Sequence, residues 1–235
     1  MARTRPRRKP KENLKLSQNK LIVHNKPKSP ISEIYRTIRT NIQFSAFDKD
    51  LKTIAVTSSL EGEGKTTTLC NLAVTFAQQN KKVLIVDADL RRPKVHRLFD
   101  IPNERGLTEL LIEMIEPEAF IHETFVENLF VLPTGVIPPN PADLLASNRM
   151  KHFIENVRAK FDYVLIDTPP VNVVTDGLLI ANRMDGVVLV CDSGQTGIEE
   201  AKKAKELLVT AKANVLGVVL NNVKQEDTGY YYYYK

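Results

Sequence analysis

A glycine-rich segment of this chain has the residue types and spacing of a phosphate-binding loop. It reads Ser59-Leu-Glu-Gly-Glu-Gly-Lys65-Thr66, and it lies between a short apolar run and a helical pattern. Backbone N–H groups of such a loop converge on phosphate oxygens at the N-terminus of a helix. Lys65 is expected to reach the β- and γ-phosphates of a nucleotide, and Thr66 to ligate Mg²⁺. The predicted nucleotide-binding residues are Ser59, Leu60, Glu61, Gly62, Glu63, Gly64, Lys65, Thr66 and Thr67.

Three aspartates end two apolar runs that are typical of buried strands. Asp87 and Asp89 follow Val83–Val86, and Asp167 follows Tyr163–Ile166. In open α/β sheets, ligands bind at the carboxyl ends of the strands. Alternate residues of an extended chain point to the same side, so Asp87 and Asp89 can face one site. A solvated acidic turn is the alternative, and the neighbouring phosphate loop disfavours it.

Five consecutive tyrosines lie one residue before the C-terminus, and they account for five of the seven tyrosines in the chain. A folded core gains little from such a cluster, because each ring needs packing and each hydroxyl a partner. Beside a nucleotide site, the cluster is expected to offer phenolic hydroxyls to a phosphoryl donor. The predicted phosphorylation sites are Tyr230, Tyr231, Tyr232, Tyr233 and Tyr234.

The alternation of apolar runs and helical patterns predicts an α/β fold. Strands are expected at 53–57, 82–86, 129–132, 163–166, 187–191 and 215–220, and helices at 30–47, 66–79, 107–114, 148–160, 176–183 and 199–210. Continuous apolar strands indicate a doubly wound, mostly parallel sheet with helices on both faces. We therefore expect a basic flexible arm over 1–28, a single nucleotide-binding domain over 29–224, and a flexible tyrosine-rich tail over 225–235.

Composition limits the class of protein. The 235 residues are 43% hydrophobic and 26% charged, as in soluble globular domains, and no apolar run reaches the roughly 18 residues of a membrane span. No apolar signal-peptide region follows the basic N-terminus. Cys70 and Cys191 lack metal-ligand spacing and are predicted to be buried free thiols. These features favour the cytoplasm.

Six basic residues fall within the first eleven positions, and the formal net charge of the chain is +5. A solvated arm and attraction to an anionic membrane surface are both compatible with this run. Nucleic acid is an unlikely partner, because no aromatic residues are interleaved with the basic ones.

Taken together, the motifs resemble those of the bacterial tyrosine kinases, which are built on a P-loop ATPase scaffold. The phosphate loop resembles a Walker A motif with Ser59 in place of the first glycine, and Asp167 resembles a Walker B aspartate. Two further segments match the family, 33–39 and 134–141, as does the tyrosine tail. The resemblance extends from about residue 24 to the end of the chain.

The resemblance implies roles for the site residues. Lys65 and Thr66 bind phosphate and magnesium, Asp87 is the candidate base for the tyrosine proton, and Asp89 and Asp167 complete the metal shell. The division of roles between Asp87 and Asp89 stays open, and both are predicted catalytic residues with Lys65. Asn221 resembles a residue that contacts adenine in related ATPases, although asparagine at a strand end is commonly a turn former.

A charged triad, Glu33, Arg36 and Arg39, lies on the first predicted helix. Glu33 and Arg36 can pair at i,i+3, but Arg39 lies about 9 Å further along the axis at about 1.5 Å per residue and needs another acid. A solvated charged face is the alternative. Within the family this motif makes contacts between subunits of a ring, so these three residues are predicted to form an oligomer interface.

The resemblance also implies the biological setting. It implies an ATP- and Mg²⁺-dependent protein-tyrosine kinase that autophosphorylates its tail in trans within a ring and regulates exopolysaccharide or capsule synthesis. The implied partners are a separate transmembrane modulator, a protein-tyrosine phosphatase and other tyrosine-containing proteins. The chain would then lie at the inner face of the membrane through its modulator.

Two other functions are compatible with a phosphate loop. A dimerising ATPase that positions division sites or plasmids would carry a lysine early in the loop, where Leu60 and Glu61 occupy the first positions. A non-catalytic nucleotide-binding adaptor would be expected to have lost motif residues, and all are present here. The positioning ATPase is the alternative function.

Overall fold

A seven-stranded sheet forms the centre of the molecule in this computed structural model, which describes residues 20–45 and 50–224. The strand order is β3-β4-β2-β5-β1-β6-β7, and all neighbours are parallel except β3 and β4. The predicted mostly parallel α/β fold is confirmed. The strands are β1 (Thr53–Ser58), β2 (Val83–Asp87), β3 (His122–Glu123), β4 (Leu129–Leu132), β5 (Tyr163–Asp167), β6 (Gly186–Asp192) and β7 (Val215–Asn221).

Nine α-helices within the described residues cover the sheet, together with one turn of 3₁₀ helix at Pro117–Ala119. The helices are α1 (Ile22–Asn25), α2 (Pro30–Ser45), α3 (Lys65–Ala77), α4 (Val95–Phe99), α5 (Leu107–Glu113), α6 (Pro141–Ala146), α7 (Asn148–Lys160), α8 (Asp176–Ala181) and α9 (Ile198–Thr210).

The central strands are buried on both faces, because each face packs against a separate layer of helices. In β2, Leu84 and Val86 join one apolar cluster, while Val83 and Ile85 join the other. Helices α5 to α9 pack on the first face, and α1 to α4 pack on the second. This arrangement explains why these strands are continuously apolar rather than alternating.

The N-terminal boundary of the fold differs from the expected one. Leu21 and Val23 are fully buried, and the N–H of Val23 donates to Asn71 Oδ1 at 3.0 Å. The predicted arm over 1–28 therefore extends too far, because residues 20–25 pack against α3. Residues 1–19 of that arm and the whole predicted tail lie outside the described residues.

The long elements were well predicted, and the elements that were missed are all short. Helix α2 begins as expected, with Ser29 Oγ accepting the N–H of Ser32 at 3.2 Å. Helices α1, α4 and α6 and strand β3 were not predicted, because two to six residues carry too little periodicity. Cys70 and Cys191 are buried and free, as predicted. In the part of the chain described, no helix combines the length and the apolar character needed to cross a membrane.

Candidate active site

The phosphate loop connects β1 to α3 and depends on two glycines with positive φ. Gly62 has φ +86° and Gly64 has φ +89°, a backbone conformation that residues with a side chain rarely adopt. A Cβ on Gly64 would lie 2.2 Å from Nδ2 of Asn221. The turn therefore requires glycine at residue 64 for both its backbone conformation and its space, and Lys65 begins the helix directly after it.

Side chains from the last two strands hold this loop. Glu63 is buried, and its carboxylate accepts the N–H of Leu60 at 2.9 Å and the hydroxyl of Thr196. Asn221 Nδ2 donates to the carbonyl oxygen of Glu63 at 3.0 Å. Ser59, in the place of the first loop glycine, is buried with its Oγ 3.5 Å from Cys191 Sγ. Asn221, predicted to contact adenine, thus lies beside the loop and supports its backbone.

The strand order brings the predicted carboxylates together. Strand β5 lies between β1 and β2, and Asp167 is in register with Asp87 on one side and Val56 on the other. Asp87 and Asp167 are fully buried, and Asp89 is 4% exposed. The aspartates therefore converge on the carboxyl edge of the sheet, next to the phosphate loop, as the sequence predicted.

Lys65 and Thr66 contact these carboxylates directly. Lys65 Nζ lies 2.8 Å from Asp89 Oδ2 and 3.2 Å from Asp167 Oδ1. Thr66 Oγ1 donates to Asp167 Oδ2 at 2.6 Å. The phosphate loop and Asp167, more than a hundred residues apart in sequence, thus belong to one hydrogen-bonded cluster. Its four side chains, those of Lys65, Thr66, Asp89 and Asp167, are all buried.

Asp87 has a different set of partners. Its Oδ2 accepts the N–H groups of Lys94 and Val95, each at 3.0 Å, and its Oδ1 accepts the N–H of Asp89 at 3.3 Å. The hydroxyl of Thr134 donates to the Asp87 carbonyl oxygen at 2.8 Å. The N–H groups hold the carboxylate, and among the described residues no cation forms an ion pair with it, so it can accept a proton.

Burial and neighbouring charges set the protonation of this cluster. Burial, reinforced by the nearby Asp167 carboxylate, raises the pKa of Asp87 to about 7. Burial likewise raises the pKa of Asp167. For Lys65, burial alone would lower the pKa, but Asp167 and Asp89 outweigh it and the pKa is raised. Lys65 is therefore a cation at neutral pH, while Asp87 has the pKa of an effective general base.

The donor set fits magnesium. Thr66, Asp89 and Asp167 offer hard oxygen ligands at one place, and three acids facing a single lysine leave an excess of negative charge. Within 20–45 and 50–224, no group of three or more His, Cys, Asp or Glu side chains forms a metal cage. The three aspartates thus do not enclose one metal by themselves. Mg²⁺ typically uses one or two carboxylates together with phosphates and water.

A cavity of about 350 Å³ opens above the cluster and includes loop residues together with Lys65, Thr66 and Asp89. Two ion pairs that the sequence did not reveal line it. Arg91 binds the buried carboxylate of Asp176 at 2.8 Å and 3.2 Å, and Arg92 pairs with Glu61 of the loop. The run of basic residues after Asp89 was the only signal for them, since their partners are distant in sequence.

The charged triad on α2 is only partly as predicted. Arg36 pairs with Glu33 and also donates to the Pro27 carbonyl oxygen at 2.8 Å. Within residues 20–45 and 50–224, no acid pairs with Arg39, although its spacing required a second one. Its Nη1 donates instead to the carbonyl oxygen of Thr75 at 2.8 Å, because α2 packs against the C-terminal turn of α3.

The predicted acceptor tyrosines, Tyr230 to Tyr234, lie outside the described residues. Lys224 is the last residue described, three positions after the end of β7. Because Asn221 contacts the phosphate loop, the chain leaves the sheet next to the active site.

Comparisons with known proteins agree with this geometry. A family model described as an AAA domain matches residues 51–215. The tyrosine-protein kinase YwqD of Bacillus subtilis (strain 168) is 47% identical over 217 residues, which is 92% of this chain and 92% of YwqD. The putative tyrosine-protein kinase CapB of Staphylococcus aureus is 44% identical over 215 residues, 91% of this chain and 94% of CapB.

Among solved structures, the chimerical protein CapA2B2 superimposes with a TM-score of 0.85 at 43% sequence identity, covering 88% of this chain and 91% of that one. These relatives are similar in sequence over nearly the whole chain and share its fold, and the residues of the phosphate loop and the three aspartates are all present. The three observations indicate the same family. The chain belongs to the bacterial tyrosine kinases, and it is a tyrosine-protein kinase built on a P-loop domain.

Proposed function

We propose that this chain transfers the γ-phosphoryl group of ATP to Tyr230–Tyr234 of neighbouring copies of itself. One observation carries the proposal. A buried cluster of Lys65, Thr66, Asp89 and Asp167 lies directly beside Asp87. The Asp87 carboxylate is held by backbone N–H groups and has no ion-pair partner in the part of the chain that the structure describes. Such a site offers both charge neutralisation for phosphates and a proton acceptor for a phenol.

The reaction forms one bond to phosphorus and breaks another. The phenolic oxygen of a tyrosine bonds to the γ-phosphorus, and the bond from that phosphorus to the β–γ bridging oxygen breaks. The phenolic proton passes to Asp87, and the products are phosphotyrosine and ADP. A phenol with a pKa near 10 is a weak nucleophile at pH 7, so an oriented base assists it. The loose transition state otherwise requires mainly positioning and charge neutralisation.

The remaining residues position the phosphates. Lys65 and the loop N–H groups bind the β- and γ-phosphates, and Gly62 and Gly64 allow the loop backbone to approach them. Thr66, Asp167 and Asp89 would hold Mg²⁺, which neutralises charge developing on the phosphate oxygens when bound. Arg91 lines the same cavity and is held in place by its ion pair with the buried Asp176.

A direct assay tests the proposal. The purified chain, incubated with ATP and Mg²⁺, should gain phosphotyrosine on its tail, and EDTA should prevent this. Lys65→Ala should abolish the signal because it removes the charge that neutralises the phosphates. Lys81→Ala is the matched control. It changes an exposed lysine just before β2, at the amino ends of the strands and away from the site. Release of phosphate without phosphotyrosine would favour the positioning ATPase instead.

We further propose that Glu33, Arg36 and Arg39 contribute to a ring of subunits that presents each tail to a neighbouring site. Ile31 and Ile34, on the same helix, are 52% and 45% exposed, so apolar surface accompanies the charges. Replacing Glu33 and Arg36 together by alanine should lower the assembled mass in light scattering. An unchanged mass would remove these residues from the interface.

The proposed setting is regulation of capsule or exopolysaccharide synthesis at the inner face of the membrane. Support comes from the name of the relative CapB and from the chimaeric nature of the matching CapA2B2 structure. We propose a separate transmembrane modulator, a protein-tyrosine phosphatase and other tyrosine-containing substrates as partners. Coexpression with a candidate modulator should move the chain into the membrane fraction, and a soluble distribution in its presence would exclude that candidate.

A further inference from the structure

The margin of the active-site cavity is lined by cationic side chains, and two of them have no acidic partner among the described residues. Four cationic side chains line its margin, outside the cluster around Lys65, and we call them the basic rim: Lys20, Arg91, Arg92 and Lys94. Arg91 is neutralised by Asp176, and Arg92 pairs with Glu61. Among the described residues, no acid pairs with Lys20 or Lys94, and both are exposed.

The position of Lys94 relative to the chemistry is fixed. Its own backbone N–H donates to Asp87 Oδ2 at 3.0 Å, so its side chain begins next to the proposed base. An acceptor tyrosine whose hydroxyl reaches Asp87 therefore brings its flanking residues to the basic rim.

We propose that the basic rim selects tyrosines that have anionic side chains nearby in sequence, and this inference rests on the proposed kinase function. In the tail, Glu226 and Asp227 precede Tyr230 by four and three residues. In an extended chain the acids lie about 10 to 14 Å from the acceptor tyrosine, a distance that would let them reach the margin of the cavity. Exposed opposite charges at such a margin contribute modest affinity and faster association.

The same recognition would act on a tail that is already partly phosphorylated. A phosphotyrosine carries about −1.5 to −2 charges at pH 7, more than a carboxylate. Each transfer therefore places a new anion beside the next acceptor tyrosine. The rim thus favours completion of a cluster over single modification of many chains.

Peptide kinetics test the inference. The enzyme is the full chain with Tyr230–Tyr234 replaced by phenylalanine, so that added peptide is the acceptor. One peptide has the sequence of residues 225–235, and its matched partner carries Glu226→Gln and Asp227→Asn. We expect the acidic peptide to have a KM about 3- to 10-fold lower at low salt, and we expect 0.5 M NaCl to remove most of this difference.

Rim variants locate the effect. Lys94→Ala combined with Lys20→Ala should raise the KM of the acidic peptide toward that of the neutral one, leaving the KM for ATP within about twofold. Lys81→Ala, at the opposite edge of the sheet, should change neither. A peptide already phosphorylated at Tyr232 and lacking both acids should regain the low KM, which separates phosphate from carboxylate recognition.

Several outcomes would overturn the inference. Equal KM values for the two peptides would contradict rim selection and leave the kinase proposal standing. A raised KM for ATP in the rim variant, with an unchanged ratio between the peptides, would assign these lysines to nucleotide binding. Phosphorylation of neither peptide by the phenylalanine variant would contradict action in trans, and with it both proposals.

Discussion

Identical side chains have different roles in this site because their surroundings differ. Asp167 contacts a lysine and a threonine side chain, whereas the hydrogen bonds that Asp87 accepts from the described residues all come from backbone N–H groups. Both are fully buried, and each increases the cost of ionising the other. We propose that these surroundings divide the roles of the two carboxylates, which lie in register on adjacent strands. Asp167 would face phosphate and metal, and Asp87 would accept the proton. We therefore propose Asp87 as the base. The sequence left the roles of Asp87 and Asp89 open, and in the structure it is Asp89 that contacts Lys65.

Asp87→Asn tests this assignment. Asparagine keeps an oxygen that can accept the N–H groups of Lys94 and Val95, but it cannot take a proton. We expect kcat to fall about 10²- to 10⁴-fold, as for loss of a general base, with little change in the affinity for ATP. Initial rates and nucleotide titrations measure the two effects separately. Asp143→Asn, an exposed acid on α6, is the control, and a kcat within a few-fold of wild type would contradict the assignment.

The sequence predicted the residues of the site better than their partners. Lys65, Thr66, Asp87, Asp89 and Asp167 follow from local motifs at strand ends, and the sheet brings them together. The bond from Thr134 to the Asp87 backbone and the pair between Arg91 and Asp176 join distant segments. No spacing within one motif encodes such a contact, because it depends on how separate loops meet above the sheet.

At the scale of elements, short helices are stabilised by packing and not by their own sequence. Helix α1 has four residues, far below the length at which an isolated helix forms. It is held by the burial of Leu21 and Val23 and by Asn71 of α3. Composition and charge near the N-terminus predicted a flexible arm. The burial of two apolar side chains shows instead that the chain packs onto the fold from residue 20 onward.

Leu21→Ala measures the contribution of α1. Removing a fully buried leucine side chain leaves a cavity, so we expect a loss of about 2–5 kcal/mol in the free energy of unfolding. Urea denaturation gives this value directly. Leu220→Ala, at a position that is 56% exposed on β7, should change stability by less than about 0.5 kcal/mol. Equal effects of the two substitutions would show that α1 is not packed in solution.

Asp185 connects the start of β1 to the segment before β6. Its Oδ2 accepts the N–H groups of Lys52 and Thr53 at 3.0 Å and 2.8 Å, and Arg158 lies 3.3 Å away. Burial would raise its pKa, but these hydrogen bonds outweigh burial and lower it. The folded-state pKa lies below the unfolded value of about 3.9, so this stabilisation is complete above that pH. It is lost as the pH falls through the folded-state pKa.

Asp185→Asn should therefore destabilise the protein at pH 7 by about 1–3 kcal/mol, as expected for losing hydrogen bonds to a charged acceptor. The difference from wild type should shrink as the pH falls below about 4, because wild-type Asp185 then becomes neutral too. Urea unfolding of both proteins across this pH range measures the gap. If the difference in the free energy of unfolding between the two proteins stayed constant with pH, the charge of Asp185 would not be the cause of the stabilisation.

At the scale of the molecule, phosphorylation of the tail would reverse the sign of the net charge. Five phosphates add roughly −8 to −10 charges to a chain with a formal charge of +5. Within a ring, every subunit would change sign together, and like charges would repel at the shared interfaces. We therefore expect autophosphorylation to disperse the assembly and so to end the reaction.

Replacing all five tyrosines by phenylalanine should keep the assembly intact in ATP and Mg²⁺. Light scattering before and after addition of ATP follows the mass, and wild type should fall toward the monomer over the same period. High salt should slow this dispersal by screening the repulsion. A phenylalanine variant that disperses as fast as wild type would rule out tail charge as the cause.

The most direct test of the account mixes two full-length chains that are each inactive toward themselves. One carries Lys65→Ala and keeps its tyrosines, and the other keeps Lys65 and carries phenylalanine at all five tail positions. After incubation with ATP and Mg²⁺, intact mass spectrometry should show up to five phosphates on the Lys65→Ala chain and none when Asp87→Asn is added to its partner. An unmodified Lys65→Ala chain in the mixture, together with self-phosphorylation of wild type, would contradict transfer between subunits.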